Sequence, residues 1–306
     1  MKAVRFDHYG DVDVLDVREV PDPESGHGEV LVRVRAAAIN PGEAGIREGR
    51  MHARFPATFP SGQGSDLAGV VESTGPGAAG WRPGDEVIGF TNNRASHAEL
   101  VLADARNLTR RPPEVPWDAA GSLFVAGATA WAAVRAIGAS QEDIIAVSGA
   151  AGGVGTIAVQ LARNAGARVI GLASESHHPW LEEHGATPIS YGERVGERIQ
   201  QAAAGKLTAF IDTFGSGYVD LAIEQGVAPE RIDTIIDFAA AERHPGVRTD
   251  GSAAGARAEV LAELAGLIAE GRLEVPIART YPLAEVRDAY RELAQRHTLG
   301  KIVLRP

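Results

Sequence analysis

Cysteine is missing from the 306-residue chain. Its absence excludes disulfide staples, a thiolate nucleophile and any metal held on cysteine. A cationic excess is missing too: 30 lysines and arginines face 40 aspartates and glutamates, a formal charge of −10 at pH 7. That balance argues against general binding to nucleic acid or to an anionic membrane surface. No apolar stretch approaches a membrane span, and the opening MKAVRFDHYGD carries no apolar signal core. Internal repeats and disordered tracts are also lacking. What is left is the profile of a cytoplasmic globular enzyme, since 44% hydrophobic and 23% charged residues are ordinary for a packed protein. The length suffices for one large domain or two modest ones.

The chain changes texture once. Up to about Trp117, β-type segments predominate: EVLVRVRAAAI (Glu29 to Ile39), then DLAGVVEST, DEVIGF and HAELVLA, set apart by glycine and proline turns. Beyond that point helical patterns (FVAGATAWAAVRAI, HPWLEEHG, GERIQQAAA) alternate with strand patterns (IIAV, RVIGLAS, PISY, LTAFIDT, RIDTIIDF). Such alternation predicts an α/β domain with a parallel, doubly wound sheet. A loop, TDGSAAGARA (Thr249 to Ala258), leads into a long amphipathic helix, AEVLAELAGLIAEG, followed by VPIARTYPL, a further helix and the strand GKIVLRP. Two domains are expected: residues 1–117, completed by 277–306, and residues 118–276.

The densest motif is VSGAAGGVGTIAVQLARNAGARVIGLAS, Val147 to Ser174. A short apolar strand precedes it, and Val154, Ile157, Ala158, Leu161 and Ala162 follow at the spacing of one helical face. Strand, glycine turn and helix together make a dinucleotide site, where uncovered backbone N–H groups and the helix dipole stabilise a pyrophosphate. The candidate contacts are Gly149, Gly152, Gly153, Val154 and Gly155; against the usual G-x-G-x-x-G pattern the first glycine is Ala150. The choice of nucleotide turns on the end of the second strand, where NAD sites carry an acid for the ribose 2′-hydroxyl. Here that position is Ser174, with Ser176, His177 and His178 beyond it as donors, which favours NADPH over NADH. Glu175 pulls the other way if its carboxylate faces the ribose; as a solvated loop charge it is neutral in the choice.

Several motifs stand in a telling order: MKAVRFDHYG, VRVRAAAINPGEAGIREG, GSDLAGVVESTG, RPGDEVIGF, AGATAWAAV, SGAAGGVG, the DTFG turn (Asp212 to Gly215) and GKIVLRP. In this order they resemble the medium-chain dehydrogenase/reductase superfamily, and within it the zinc-free quinone oxidoreductase (zeta-crystallin-like) branch, over nearly the whole length. The resemblance implies a GroES-like β-rich catalytic domain, a Rossmann domain, a cofactor in the cleft between them, and a homodimer formed where an exposed Rossmann edge strand pairs across a two-fold axis. It also implies that Thr129 lies near the nicotinamide and that Tyr191 approaches the 2′-phosphate, although Tyr191 fits a strand-end core residue equally well. Phe238 and Ala239, at the end of RIDTIIDF, fall at the carboxyl edge of a strand, where ligands of such sheets collect.

In the zinc-binding branch the slots matched by AAAIN and GSD hold a Cys and a His. Here they hold Asn40 and Ser65, an amide and a hydroxyl, which are poor zinc ligands. No metal site is expected. Hydride transfer without zinc suits acceptors that are already electrophilic, quinones and α,β-unsaturated carbonyls, because the nicotinamide carries the chemistry and the protein supplies alignment. Asn40 is the leading donor to the acceptor oxygen, and it also fits a turn cap before Pro41. Ile46 stands where some relatives place a Tyr, and with Phe90 and Phe124 it is a candidate for the apolar substrate wall. Asp66 reads as the partner of a basic residue, and Asp85/Glu86 as turn charges. The segment FAAAERHPGVRTDGSA lacks the glycine-rich strand-loop expected after the fifth Rossmann strand, so substrate identity does not carry over. An enoyl reductase of a biosynthetic pathway and a non-catalytic NADPH-binding sensor are the competing readings.

Overall fold

The computed structural model describes residues 1–306 and separates into two compact units. The first comprises residues 1–125, 256–270 and 277–306, the second residues 126–255 and 271–276. No helix is long and apolar enough to cross a membrane.

The first unit contains, in chain order, β1 (Lys2–Arg5), β2 (Asp16–Glu19), β3 (Glu29–Ala38), α1 (Pro41–Arg47), β4 (Asp66–Thr74), β5 (Glu86–Phe90), β6 (Leu100–Asp104), β7 (Leu108–Arg110) and α2 (Trp117–Ala120). Strand β3 shows why a sheet forms: Val32, Val34 and Ala36 are buried while Arg33 and Arg35 between them face solvent, the period of two of a half-buried strand. Those valines meet Leu67, Val71, Val87, Val101 and Leu108 in one core.

The second unit contains α3 (Ala128–Ala136), β8 (Ile144–Ser148), α4 (Gly153–Asn164), β9 (Arg168–Leu172), α5 (His178–Glu183), β10 (Thr187–Ile189), α6 (Val195–Ala203), β11 (Ala209–Asp212), α7 (Tyr218–Glu224), β12 (Ile232–Thr234) and α8 (Phe238–Arg243). Its five strands are all parallel in the order β10-β9-β8-β11-β12. The order reverses between β8 and β11, the place where such sheets bind ligands. The chain then returns to the first unit with α9 (Ala258–Ala269), β13 (Ile277–Pro282), α10 (Val286–Ala294) and β14 (Lys301–Arg305). Strand β14 pairs antiparallel with β3, Val303 opposite Ala38, within the sheet β13-β14-β3-β4-β5-β7.

Three details differ from the sequence reading. The first boundary falls after Val125 rather than at 117, because the Val125 N–H donates to the Asp66 carboxylate and Phe124 stacks on Phe90 within the first unit. Helix α9 belongs to the first unit, not to the nucleotide-binding one, and packs its Val260, Leu261, Leu264 and Ala265 face there, against β5 and β7. RIDTIIDF stops being a strand at Thr234: the Thr234 hydroxyl accepts from the Asp237 N–H, and Asp237 caps α8 by accepting from the Ala240 N–H at 3.0 Å. Phe238 and Ala239 therefore open a helix rather than close a strand.

Candidate functional site

In the second unit the glycine turn runs from the carboxyl end of β8 into α4. Gly149 has φ +60°, and its carbonyl accepts from the Gly152 N–H at 2.9 Å. A Cβ on Gly155 would lie 2.1 Å from the Gly149 carbonyl oxygen and 2.8 Å from the Ala150 Cα, so only glycine lets the helix start so close to the turn. The first-turn N–H groups of a helix have no partners within it. At Gly153, Val154 and Gly155 they form a cradle of backbone donors at the positive end of a helix dipole, which suits a pyrophosphate; the Gly152 N–H, expected among them, is taken by the Gly149 carbonyl. Asp212, which the sequence marked only as the start of a turn, underpins this edge. Fully buried, it accepts from the Ser148 hydroxyl at 2.6 Å, the Thr234 hydroxyl at 2.8 Å and the N–H groups of Phe214 and Gly215, tying β8, β11 and β12 together at their carboxyl ends. Thr129 lies buried in the first turn of α3 in the same unit.

At the ends of β9 and β10 the structure gathers a polar group. Ser174 and Ser176 share a hydrogen bond at 3.2 Å, the His178 imidazole donates to the Ala173 carbonyl at 3.3 Å, and the Ser190 hydroxyl donates to the Glu175 carboxylate at 3.3 Å. Glu175 is thus turned towards the end of β10 rather than away from the sheet. Arg198 donates to the Ser190 and Glu193 carbonyls, and Tyr191 is exposed with its ring 6.3 Å from Phe214. Tyr191 is therefore not a core residue. Phe238, 43% exposed, and Ala239 stand beyond the end of β12.

In the first unit Asn40 heads α1, its N–H donating to Glu43 at 3.0 Å, and joins a buried polar network. Its Nδ2 donates to Asp66 at 2.6 Å and to Glu43 at 3.2 Å, and its Oδ1 accepts from the Lys301 ammonium at 2.6 Å. Both amide hydrogens are consumed, so a substrate oxygen gains one only by displacing a carboxylate. Glu43 also accepts from the Ser65 N–H and from the Tyr290 hydroxyl, which in turn accepts from Gln63. Burial raises the Asp66 carboxyl to about 6, against the pull of Lys301. Burial likewise lowers Lys301 and His97 and pushes Tyr290 well up. Asp66, expected to pair with a basic residue, instead accepts from the Asn40 amide and the Val125 N–H and feels Lys301 only through its charge; Asp85 pairs with Arg110 and Arg82, and Glu86 with Arg111. Sequence reasoning missed Glu43, Lys301 and Tyr290, whose only local signal was Glu43 three residues after Asn40. Phe90 and Phe124 are buried in a stack with centroids 4.0 Å apart, which makes them core packing here, while Ile46 is half-buried on α1.

A catalytic zinc does not fit these residues. Asn40 is tied to Lys301 and two carboxylates, Ser65 offers a hydroxyl, and no group of three His, Asp or Glu side chains is arranged to hold an ion.

Comparison with known proteins agrees with the fold. Residues 26–136 match the alcohol dehydrogenase GroES-like domain and residues 202–304 match a family described as zinc-binding dehydrogenase. A quinone oxidoreductase of Pseudomonas aeruginosa is 31% identical over 330 residues, covering 100% of this chain and 99% of the relative. A 2-methylene-furan-3-one reductase of Solanum lycopersicum is 29% identical over 322 residues, covering 100% of this chain and 79% of the relative. The solved quinone oxidoreductase of Coxiella burnetii superposes with TM-score 0.89 at 28% identity, covering 100% and 99% of the two chains.

Proposed function

The chain belongs to the medium-chain dehydrogenase/reductase superfamily, in its quinone oxidoreductase branch, and from that premise we propose that it is a metal-independent, NADPH-using reductase of quinones or α,β-unsaturated carbonyls. The observation that carries the reading is the cradle at Gly149 to Gly155, whose space a single Cβ would close, in a chain whose zinc slots hold an amide and a hydroxyl.

Bound there, NADPH supplies the hydride. The backbone donors of Gly153, Val154 and Gly155 hold the pyrophosphate, with Gly149 and Gly152 shaping the turn; Ser174, Ser176, His178 and Tyr191 serve the 2′-phosphate; Thr129, Phe238 and Ala239 border the nicotinamide end. Glu175 opposes the 2′-phosphate and weakens the preference for NADPH over NADH. An electrophilic acceptor needs no Lewis acid, and its reduced oxygen or carbon takes a proton from water. Asn40 contributes through its fixed dipole within the Asp66–Glu43–Lys301 network, and as a direct donor only after a carboxylate yields. Ile46 borders the substrate, with the Phe90–Phe124 stack behind it. A homodimer completes the reading.

The test follows absorbance at 340 nm, in EDTA, with NADPH or NADH and a panel of a benzoquinone, a larger ortho-quinone, a linear enone and a simple ketone. Protein-dependent oxidation of NADPH by quinone or enone, and none by the ketone, is expected. Turnover of the ketone that EDTA abolishes would overturn the metal-free reading, and tight NADPH binding with no turnover would favour a non-catalytic sensor.

A further inference from the structure

We infer that Glu43, and not Asp66, is the carboxylate that releases an Asn40 amide hydrogen when an acceptor oxygen arrives, which makes Glu43 a positioning residue that sets how tightly Asn40 holds the acceptor. The inference rests on the reading of Asn40 as a donor to the acceptor and deepens it.

The two bonds from the amide are unequal. Nδ2 lies 2.6 Å from Asp66 and 3.2 Å from Glu43, and the longer is the weaker bond. The carboxylates also differ in what they keep. Asp66 is fully buried; its Oδ2 holds the Asn40 amide and its Oδ1 the Val125 N–H at 2.9 Å. Letting Asn40 go would strip Oδ2 of its partner, the costly case for a buried ionised group. Glu43 is better supplied. Its Oε1 accepts from the Ser65 N–H at 3.1 Å as well as from the amide, and its Oε2 accepts from the Asn40 N–H at 3.0 Å and from the Tyr290 hydroxyl at 2.7 Å. After release each Glu43 oxygen still has a donor.

Two further contacts let one hydrogen go while the amide stays fixed. The Lys301 ammonium, which has no acceptor, donates to Oδ1 at 2.6 Å and so decides which end of the amide is oxygen. On the far side of Glu43 the Gln63 Nε2 donates to the Tyr290 oxygen at 3.0 Å, which leaves the Tyr290 hydrogen for Glu43. Tyr290 thereby draws off charge that would otherwise bear on the Asn40 amide.

Two variants should then move the acceptor's KM in opposite directions. Glu43→Gln puts a neutral, weaker competitor beside the Asn40 hydrogen, whereas Tyr290→Phe leaves the carboxylate more dependent on Asn40. In steady-state assays with NADPH and a benzoquinone, the quinone KM is expected to fall in Glu43→Gln and to rise in Tyr290→Phe, each by about fivefold, the weight of one hydrogen bond, with the NADPH Kd unchanged in both. A merely structural role would move the two the same way. Shifts of one sign would overturn the inference, as would a KM lowered by Asp66→Asn and not by Glu43→Gln. Nitrogen-15 NMR of the native chain gives a readout independent of turnover. The two Asn40 Nδ2 hydrogens are told apart by magnetisation transfer to the Ser65 and Val125 N–H groups, and the one on Asp66 should resonate further downfield; the reverse order would overturn the inference. Should the native chain oxidise NADPH with no acceptor, the catalytic reading fails separately, and the order of the two resonances still decides between the carboxylates, as it does if a variant fails to fold.

Discussion

Asp233 is buried with one carboxyl oxygen bonded to the Asp250 N–H and the other without a partner. Burial raises it to about 7, opposed by the hydrogen bond from the Asp250 N–H and by the charge of Arg248 and aided by the Asp250 and Asp212 carboxylates. The sign follows from linkage: between the ordinary aspartate value and about 7 the folded chain binds more protons at this site than the unfolded one, so stability falls as pH rises through that window. Asp233→Asn keeps the acceptor for Asp250 and removes the titration. Denaturant midpoints from pH 4 to 8 should show a flatter profile for the variant, with a relative gain of about 1–3 kcal/mol at the alkaline end; parallel profiles would refute the assignment. At Gly155 the added methyl of an alanine meets the Gly149 carbonyl at 2.1 Å. Gly155→Ala should weaken NADPH binding by roughly tenfold or more, the equivalent of about 1.4 kcal/mol, as fluorescence titration would read. Glu175→Gln keeps an acceptor for Ser190 and removes the charge. It should raise the NADPH-to-NADH ratio of kcat/KM, and an unchanged ratio would place Glu175 outside nucleotide selection.

Four elements, α1, β4, α10 and β14, close the network around Asn40. Removing one partner of a buried ion cluster leaves the others uncompensated. Lys301→Met should therefore cost about 3–5 kcal/mol in urea unfolding, while Tyr290→Phe, which deletes one bond to Glu43 and one from Gln63, should cost about 1–3 kcal/mol. The contrast with what the sequence disclosed is instructive. Strand β3 was legible because a half-buried strand writes its period into neighbouring residues, and the β8–α4 turn because a close approach demands glycine. The end of β12 was not, since IIDF is apolar enough to continue a strand and only the Thr234 and Asp237 side chains stop it. Helix α9 carried its apolar face openly, but nothing in that face names the sheet it covers. The partners of Asn40 were hidden by distance along the chain: Lys301 lies 261 residues away, and no local pattern reports such a meeting.

For the molecule as a whole, the donor set predicts indifference to chelation: dialysis against EDTA should leave both the unfolding temperature and NADPH oxidation unchanged, and loss of either would point to a metal. The way the two units share the chain has a further consequence. The β-rich unit is built from residues 1–125, 256–270 and 277–306, while most of the other, residues 126–255, is inserted between its parts. During synthesis β3, α1 and β4 emerge long before β14, so Glu43 and Asp66 have to wait, hydrated, for the ammonium that lets them be buried. The inserted parallel sheet lies almost wholly within one continuous stretch and can form first, as domains do on the ribosome. The β-rich unit, closed by contacts of very high sequence separation, is then the slow partner, and the moment at which Lys301 docks against Asn40 marks the end of folding.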